Sequence, residues 1–198
     1  MLNKFFIVAG SIFSVSVFAQ SEKFEGASVG INAGYNTETS EIGTSTYAMG
    51  TTNPTVNINA IYTFASRSNW TLGVGVSADL TSTNVMPSAF TSGKVLSIKS
   101  HYSVNLEPGY VFNQNFLSYI KLSWNAAKYD YNSGYATESI AGVGYGFGTR
   151  YFIDKNTYLN IDVQKITYNS FVNTHISNSS YDITHQTTQA TIGLGYKF

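Results

Sequence analysis

Serine is abundant in this chain, but the histidines and cysteines that would activate it or bind a metal are few or absent, and their spacing argues against acid–base, metal and nucleophilic chemistry. Histidine occurs only at His101, His175 and His185, and no pair has the His-x-x-x-His spacing of a zinc site. With no cysteine, thiolate metal ligation and a disulfide scaffold are both excluded. Gly142, Gly144, Gly146 and Gly148 repeat every two residues, where a dinucleotide-binding turn would read GxGxxG ahead of a helix. No serine nucleophile, metal or cofactor is expected, and the chain reads as a non-enzyme. Four charges say more. Glu107 and Lys121 are symmetric about Gln114, and Arg150 and Asp162 about Asn156, so two tight hairpins would set each pair face to face. An enclosed charge without a partner is very costly, so these four should neutralise one another. On that pairing, Lys121→Ala would strand Glu107.

Composition limits the structure that could enclose them. The chain has 198 residues, which suits one domain. Charged residues make up 11% and aromatics 15%, against about 25% charged in an ordinary soluble domain. Lysine plus arginine equals aspartate plus glutamate at 11 each, so no basic patch is available for nucleic-acid phosphates. Residues 1–19 read as a signal peptide: Lys4 gives the positive start, Phe5 to Val15 the apolar stretch, and Val17 and Ala19 the peptidase site. That stretch is short of the roughly 20 apolar residues of a spanning helix. No later stretch is apolar and long enough either, so a membrane form of residues 20–198 must cross as strands.

Strands are what the pattern predicts. Apolar and small or polar residues alternate with period two in eight segments: Ala27–Tyr35, Val56–Phe64, Trp70–Leu80, Leu96–Phe112, Phe116–Ala126, Ala141–Tyr151, Leu159–Val163 and Ala190–Phe198. Ile61 breaks the alternation in the second, and the seventh loses it at Lys165. Connections alternate as well. Ala65–Asn69, Asn113–Asn115 and Asp154–Thr157 are tight, whereas Asn36–Pro54, Thr81–Val95, Ala127–Ser139 and Tyr168–Tyr181 are long and polar. Short turns on one rim and long loops on the other are the pattern of an outer-membrane barrel. The expected fold is all-β: an eight-stranded antiparallel up-and-down transmembrane β-barrel with short periplasmic turns and long extracellular loops. Among the loops, Tyr47, Phe90, Tyr129, Tyr131, Tyr135 and Phe171 set aromatic rings among polar residues, which suits contact with a surface or partner.

Glycine decides which face meets lipid. A soluble barrel would leave Gly73, Gly75, Gly142, Gly144, Gly146, Gly148, Gly193 and Gly195 facing water, where they only weaken the sheet. Inside a narrow eight-stranded barrel they fit the limited room. Aromatics gather at strand ends, with Phe64, Trp70, Tyr110, Phe112, Phe116, Tyr151 and Phe198 towards the turns and Tyr35, Tyr102 and Trp124 towards the loops. Girdles of this kind mark the two lipid–water interfaces.

The chain end Ile192-Gly193-Leu194-Gly195-Tyr196-Lys197-Phe198 resembles the C-terminal insertion signal of bacterial outer-membrane barrels, carried by Ile192, Leu194, Tyr196 and Phe198. The run Leu106-Glu107-Pro108-Gly109-Tyr110 and the glycine-alternating sixth strand are similar to the small OmpA/opacity-type barrel domain (OmpX-like). The resemblance covers essentially all of residues 20–198 and implies a cell outer-membrane location and handling by the barrel-assembly machinery. It also implies a lumen closed by the four charges, whose plainer role is to set register and interior packing. The expected role is envelope-structural or an adhesion-type surface interaction, as a monomer, with outer-membrane lipid around it and a host or surface ligand at its loops. Two alternatives stand beside it: a narrow porin-like channel for small solutes, and a lipid A-modifying enzyme. The second would need an acyl slot that an interior of Gly, Asn, Thr and charge does not offer.

Overall fold

Alternation with period two puts every second side chain on one face of a sheet, so a chain built of such segments buries one face only by closing on itself. That is what the computed structural model shows. It describes residues 21–42, 48–66, 68–85, 97–130, 137–173 and 181–198; the expected signal peptide lies outside them. Eight long strands form the wall: β1 (Gly26–Ile42), β2 (Ala48–Ala65), β3 (Trp70–Asp79), β5 (Ser97–Asn113), β6 (Phe116–Asp130), β7 (Glu138–Phe152), β8 (Thr157–Tyr168) and β10 (Tyr181–Lys197). Two short ones, β4 (Thr83–Asn84) and β9 (Phe171–Asn173), pair with β5 and β10 near the loop end. Each wall strand is antiparallel to its sequence neighbour, and β1 pairs β10 from Ser28↔Lys197 to Ile42↔Ile183, which closes the barrel.

The faces are inverted relative to a soluble domain. Val29, Ile31, Val74, Val104, Leu122, Phe147 and Leu194 point outward and exposed, while Asn32, Asn57, Asn105, Asn125, Gln164 and Gln189 are buried inside. Girdle rings touch along the turn rim, Trp70 on Tyr110 at 5.2 Å and Tyr110 on Phe112 at 5.2 Å. The glycines are there because the interior is full. A Cβ on Gly195 would lie 2.0 Å from the Tyr158 ring, and one on Gly75 would lie 2.5 Å from Ile61. Ile61, the break in the second segment, points inward and is buried over Gly73 and Gly75.

The strands run further than the alternation predicts. About 9–11 residues cross a bilayer, yet β1 has 17 and β2 has 18, so much of the expected Asn36–Pro54 loop is strand. Beyond the lipid belt the sign of the alternation reverses. On β8, Lys165 points out while Ile166 and Tyr168 turn in and are buried. They join Val85, Ile98, Ala127, Tyr129 and Ile140 in an apolar cluster that fills the loop end. Ile98 is a correction, since the sequence pattern set it on the outer face. A register shift between Lys99 and Tyr102, with Ser100 at φ 52°, inserts one residue and turns Ile98 inward. Because β3 stops at Asp79, β2 has no strand partner on that side beyond Asn57 among the described residues. Pro54, which lacks an N–H, is tolerated in that stretch.

The turn end is filled as well. A single 3-10 turn, Glu22–Phe24, tucks under the barrel. Lys23 Nζ donates to Asn115 Oδ1 at 2.6 Å, and Phe24 meets Phe152 edge-on at 5.0 Å. Phe24 belongs to a second buried cluster with Val111, Leu117, Tyr119, Phe152 and Tyr158.

Candidate functional site

The four charges singled out in the sequence do converge in the lumen, but with partners exchanged. Glu107, Lys121, Arg150 and Asp162 are all buried. The pairs Leu106↔Leu122 and Gly109↔Tyr119 set Glu107 and Lys121 at matching positions on β5 and β6. Yet Glu107 is bound by the Arg150 guanidinium, and Lys121 Nζ lies 3.5 Å from Asp162 Oδ1. The second expected pair fails on register: the β7–β8 hairpin sets Arg150 opposite Asn160, and Asp162 opposite Gly148. Each ion pair therefore reaches over an intervening strand. Gly146 and Gly148 on β7 are what permit this between β6 and β8. They sit opposite Lys121 and Tyr119 on one side and Gln164 and Asp162 on the other, and carry no side chain in between. A Cβ at Gly148 would lie 2.5 Å from Tyr119 and 2.7 Å from Asp162 Oδ1.

Aromatic residues complete the cluster, which sequence reasoning missed. The Tyr119 hydroxyl donates to Asp162 Oδ1 at 2.8 Å, and Asn160 Nδ2 donates to Asp162 Oδ2 at 2.7 Å. Arg150 lies over the Tyr119 ring at 4.5 Å and within 5.8 Å of the Tyr158 ring. The delocalised guanidinium suits both partners, a carboxylate in its plane and a ring against its face.

A second polar cluster, built on two inward histidines whose partners sequence reasoning missed, sits at the loop end. His185 Nε2 is 2.9 Å from Glu38 Oε2, its Nδ1 is 2.9 Å from Ser40 Oγ, and Thr187 Oγ1 donates to Glu38 at 2.5 Å. His101 Nδ1 is 3.0 Å from Asp79 Oδ2, and its Nε2 is 3.1 Å from Asn125 Oδ1. The signal for the partners of His185 was hidden because the predicted first strand stopped at Tyr35, short of Glu38 and Ser40.

Hydroxyl, imidazole and carboxylate in that order match the groups of a serine hydrolase. Ser40 and His185 are both 0% exposed, however, and the void beside Glu38 and Thr187 holds about 10 Å³, too small for a substrate. The letters Gly26-Ala27-Ser28-Val29-Gly30 also spell Gly-x-Ser-x-Gly. Ser28 lies inside β1 with its hydroxyl towards Ile61 O at 3.4 Å, not on a strand-to-helix turn. Among the described residues, no group of three or more His, Cys, Asp or Glu side chains could hold a metal ion.

The aromatic loop candidates divide. Tyr129 is a correction: it lies within β6, faces inward at 0% exposed, and packs 6.1 Å from His185, so it presents nothing to a partner. Phe171 opens β9 opposite Ile183. Tyr47, Phe90, Tyr131 and Tyr135 lie outside the described residues. At the chain end Ile192, Leu194, Tyr196 and Phe198 all point outward and exposed, along the strand that closes the wall.

Comparison with known proteins agrees with this architecture. A sequence profile described as the outer membrane protein beta-barrel domain matches residues 5–198. Among solved structures, OprG of Pseudomonas aeruginosa aligns with a TM-score of 0.53 at 16% identity, over 88% of this chain and 97% of that one. Ail of Yersinia pestis, crystallised with the heparin analogue sucrose octasulfate, aligns at 0.51 and 17% identity, over 87% of this chain and 99% of that one. Ail without the analogue gives 0.50 at 20% identity, over 88% and 99%. Among curated proteins, none matches this sequence.

Proposed function

Because this chain belongs to the outer membrane protein beta-barrel domain family, we propose that it is a closed, non-conducting barrel that works at its loop end, by binding a surface or ligand outside the cell. The observation that carries this reading is the filled interior. A polar middle cross-linked by Arg150–Glu107 and Lys121–Asp162 lies between two apolar caps. Among the described residues, a void near each end, one beside Phe24 and Arg150 and one beside Glu38 and His101, holds about 10 Å³, near the least that admits one water. A path for solutes would require both caps and both ion pairs to move, which argues against a channel. The buried loop-end cluster holds the strands rigid beyond the lipid belt, a stiff pedestal for the loops.

Among relatives by fold, Ail was crystallised with a heparin analogue, and an anionic surface polysaccharide is the ligand class we assign here. The protein works as a monomer, with no catalytic step. Its outward-facing Ile192, Leu194, Tyr196 and Phe198 are offered to the barrel-assembly machinery before the seam with β1 closes.

Two measurements test the reading. Planar-bilayer recordings of the refolded barrel should show no unitary conductance. Cells displaying the protein should adhere to heparin-coated surfaces, and replacing residues 43–47 and 131–136 with short Gly-Ser turns should abolish this while the barrel stays in the membrane. Stable conductance steps, or adhesion untouched by the replacements, would overturn it.

A further inference from the structure

His101 sits where the wall is least regular. It follows Ser100, at φ 52°, inside the register shift between Lys99 and Tyr102 on β5. Beside it, β3 ends at Asp79. The imidazole joins three strands, with Nδ1 3.0 Å from Asp79 Oδ2 on β3 and Nε2 3.1 Å from Asn125 Oδ1 on β6.

Both partners are acceptors. The Asn125 amide donates to the Ser123 carbonyl at 3.4 Å and to its hydroxyl at 2.8 Å, which turns Oδ1 towards His101. A neutral imidazole has one N–H and one lone pair, so it could satisfy one acceptor and would oppose the other. The imidazolium satisfies both. Charge balance agrees. Among the described residues, the buried carboxylates are Glu38, Asp79, Glu107 and Asp162, against the buried cations Lys121 and Arg150. Those cations are held by Asp162 and Glu107, which leaves the uncompensated carboxylates at the loop end. Glu38, bonded to His185, and Tyr168 face His101 over a void of about 10 Å³, too small for bulk water to screen them. Lys99, two residues away on the same strand, is matched by Asp130. Buried Asp79 therefore needs a charged partner, and imidazole is the side chain that can give or withhold that charge near neutral pH.

We propose that His101 is a proton-operated pin: as an imidazolium it ties the end of β3 and the bulge of β5 to β6, and on losing a proton it releases them. Nδ1 keeps its hydrogen for the Asp79 carboxylate. Nε2 gives up the other, and its lone pair then faces Asn125 Oδ1. The pinned mouth binds one more proton than the released one, so rising pH favours release. The stiffness of the barrel mouth thus follows the pH outside the cell.

Nitrogen-15 histidine spectra of the refolded full barrel should show His101 doubly protonated at pH 6 and singly protonated at pH 9. Amide protection factors over residues 76–79 and 97–103 should fall about tenfold across that interval, while residues 28–35 keep theirs. His101→Gln removes the titrating group, so its protection should be equal at the two pH values. Heat-modifiable gel mobility reports whether the variant folds, and the wild-type measurements decide the matter without it. A neutral His101 at pH 6, or an imidazolium that persists at pH 9, would overturn the proposal. So would wild-type protection that ignores pH, or a tenfold loss that survives in His101→Gln and so belongs to another group.

Discussion

Arg150 shows how much depends on single side chains where water is excluded. Its guanidinium neutralises Glu107 and covers the Tyr119 ring, while Asp162 faces Lys121 and accepts from two further donors, Tyr119 and Asn160. The two cations should therefore differ in worth. Arg150→Ala leaves the buried Glu107 carboxylate without its cation, a change that costs about 3–5 kcal/mol. Lys121→Ala leaves Asp162 two donors, each charge-assisted bond worth about 1.5–3 kcal/mol, so its cost should be smaller. Urea unfolding from lipid vesicles ranks the two directly, and Lys121→Ala as the more damaging would refute the exchanged pairing. The same geometry shows why the partners were illegible. Hairpin symmetry brought Glu107 and Lys121 to matching positions correctly, but the choice of partner was made across β7, where glycines let side chains from flanking strands meet.

At the scale of elements, the tight turns matter as much as the ladders. Between β7 and β8, the Asp154 carboxylate accepts backbone N–H groups from Asn156 at 2.8 Å and Thr157 at 2.7 Å. These bonds favour the charged form and hold the Asp154 pKa below its ordinary value of 3.8. The sign follows from linkage: a carboxyl depressed in the folded state adds stability above its unfolded pKa and loses it as pH falls through the folded one. Wild type should thus be more stable than Asp154→Ala by a constant margin near neutral pH, and the margin should close only below the ordinary carboxyl range. A margin at pH 2 as wide as at neutral pH, read from urea midpoints, would place the effect elsewhere. Eight strands and their lipid-facing side were legible because the alternation keeps one sign throughout the belt. Strand ends were not, because the sign flips where the wall leaves lipid. Lys165 followed by Ile166 looks like lost pattern, yet it is the same strand with polar side chains now outside and apolar ones within. Tyr129 was misplaced for that reason, as an exposed loop aromatic when it belongs to the buried cap.

For the whole molecule, closure is the decisive event, and it joins the two segments furthest apart in sequence. β1 and β10 share a seam in two parts. From Ser28 to Tyr35 the outward side chains meet lipid; from Asn36 onward they are Thr37, Thr39 and Glu41, clear of it. In lipid, an open strand edge leaves backbone groups with no partner, so the lower seam is held by the solvent it faces. Water competes for the upper seam, which needs side-chain bonds, and His185 supplies them to Glu38 and Ser40 together. His185→Ala should therefore separate the two parts. Amide hydrogen exchange should quicken over residues 36–42 and 183–189 while residues 28–35 stay protected, because local opening follows local stability. Exchange that quickens along the full seam would mean that His185 holds the entire barrel shut. Exchange that changes nowhere would mean that the buried imidazole contributes nothing to closure, and the stiffness assigned to the loop-end pedestal would have to come from the apolar cap alone.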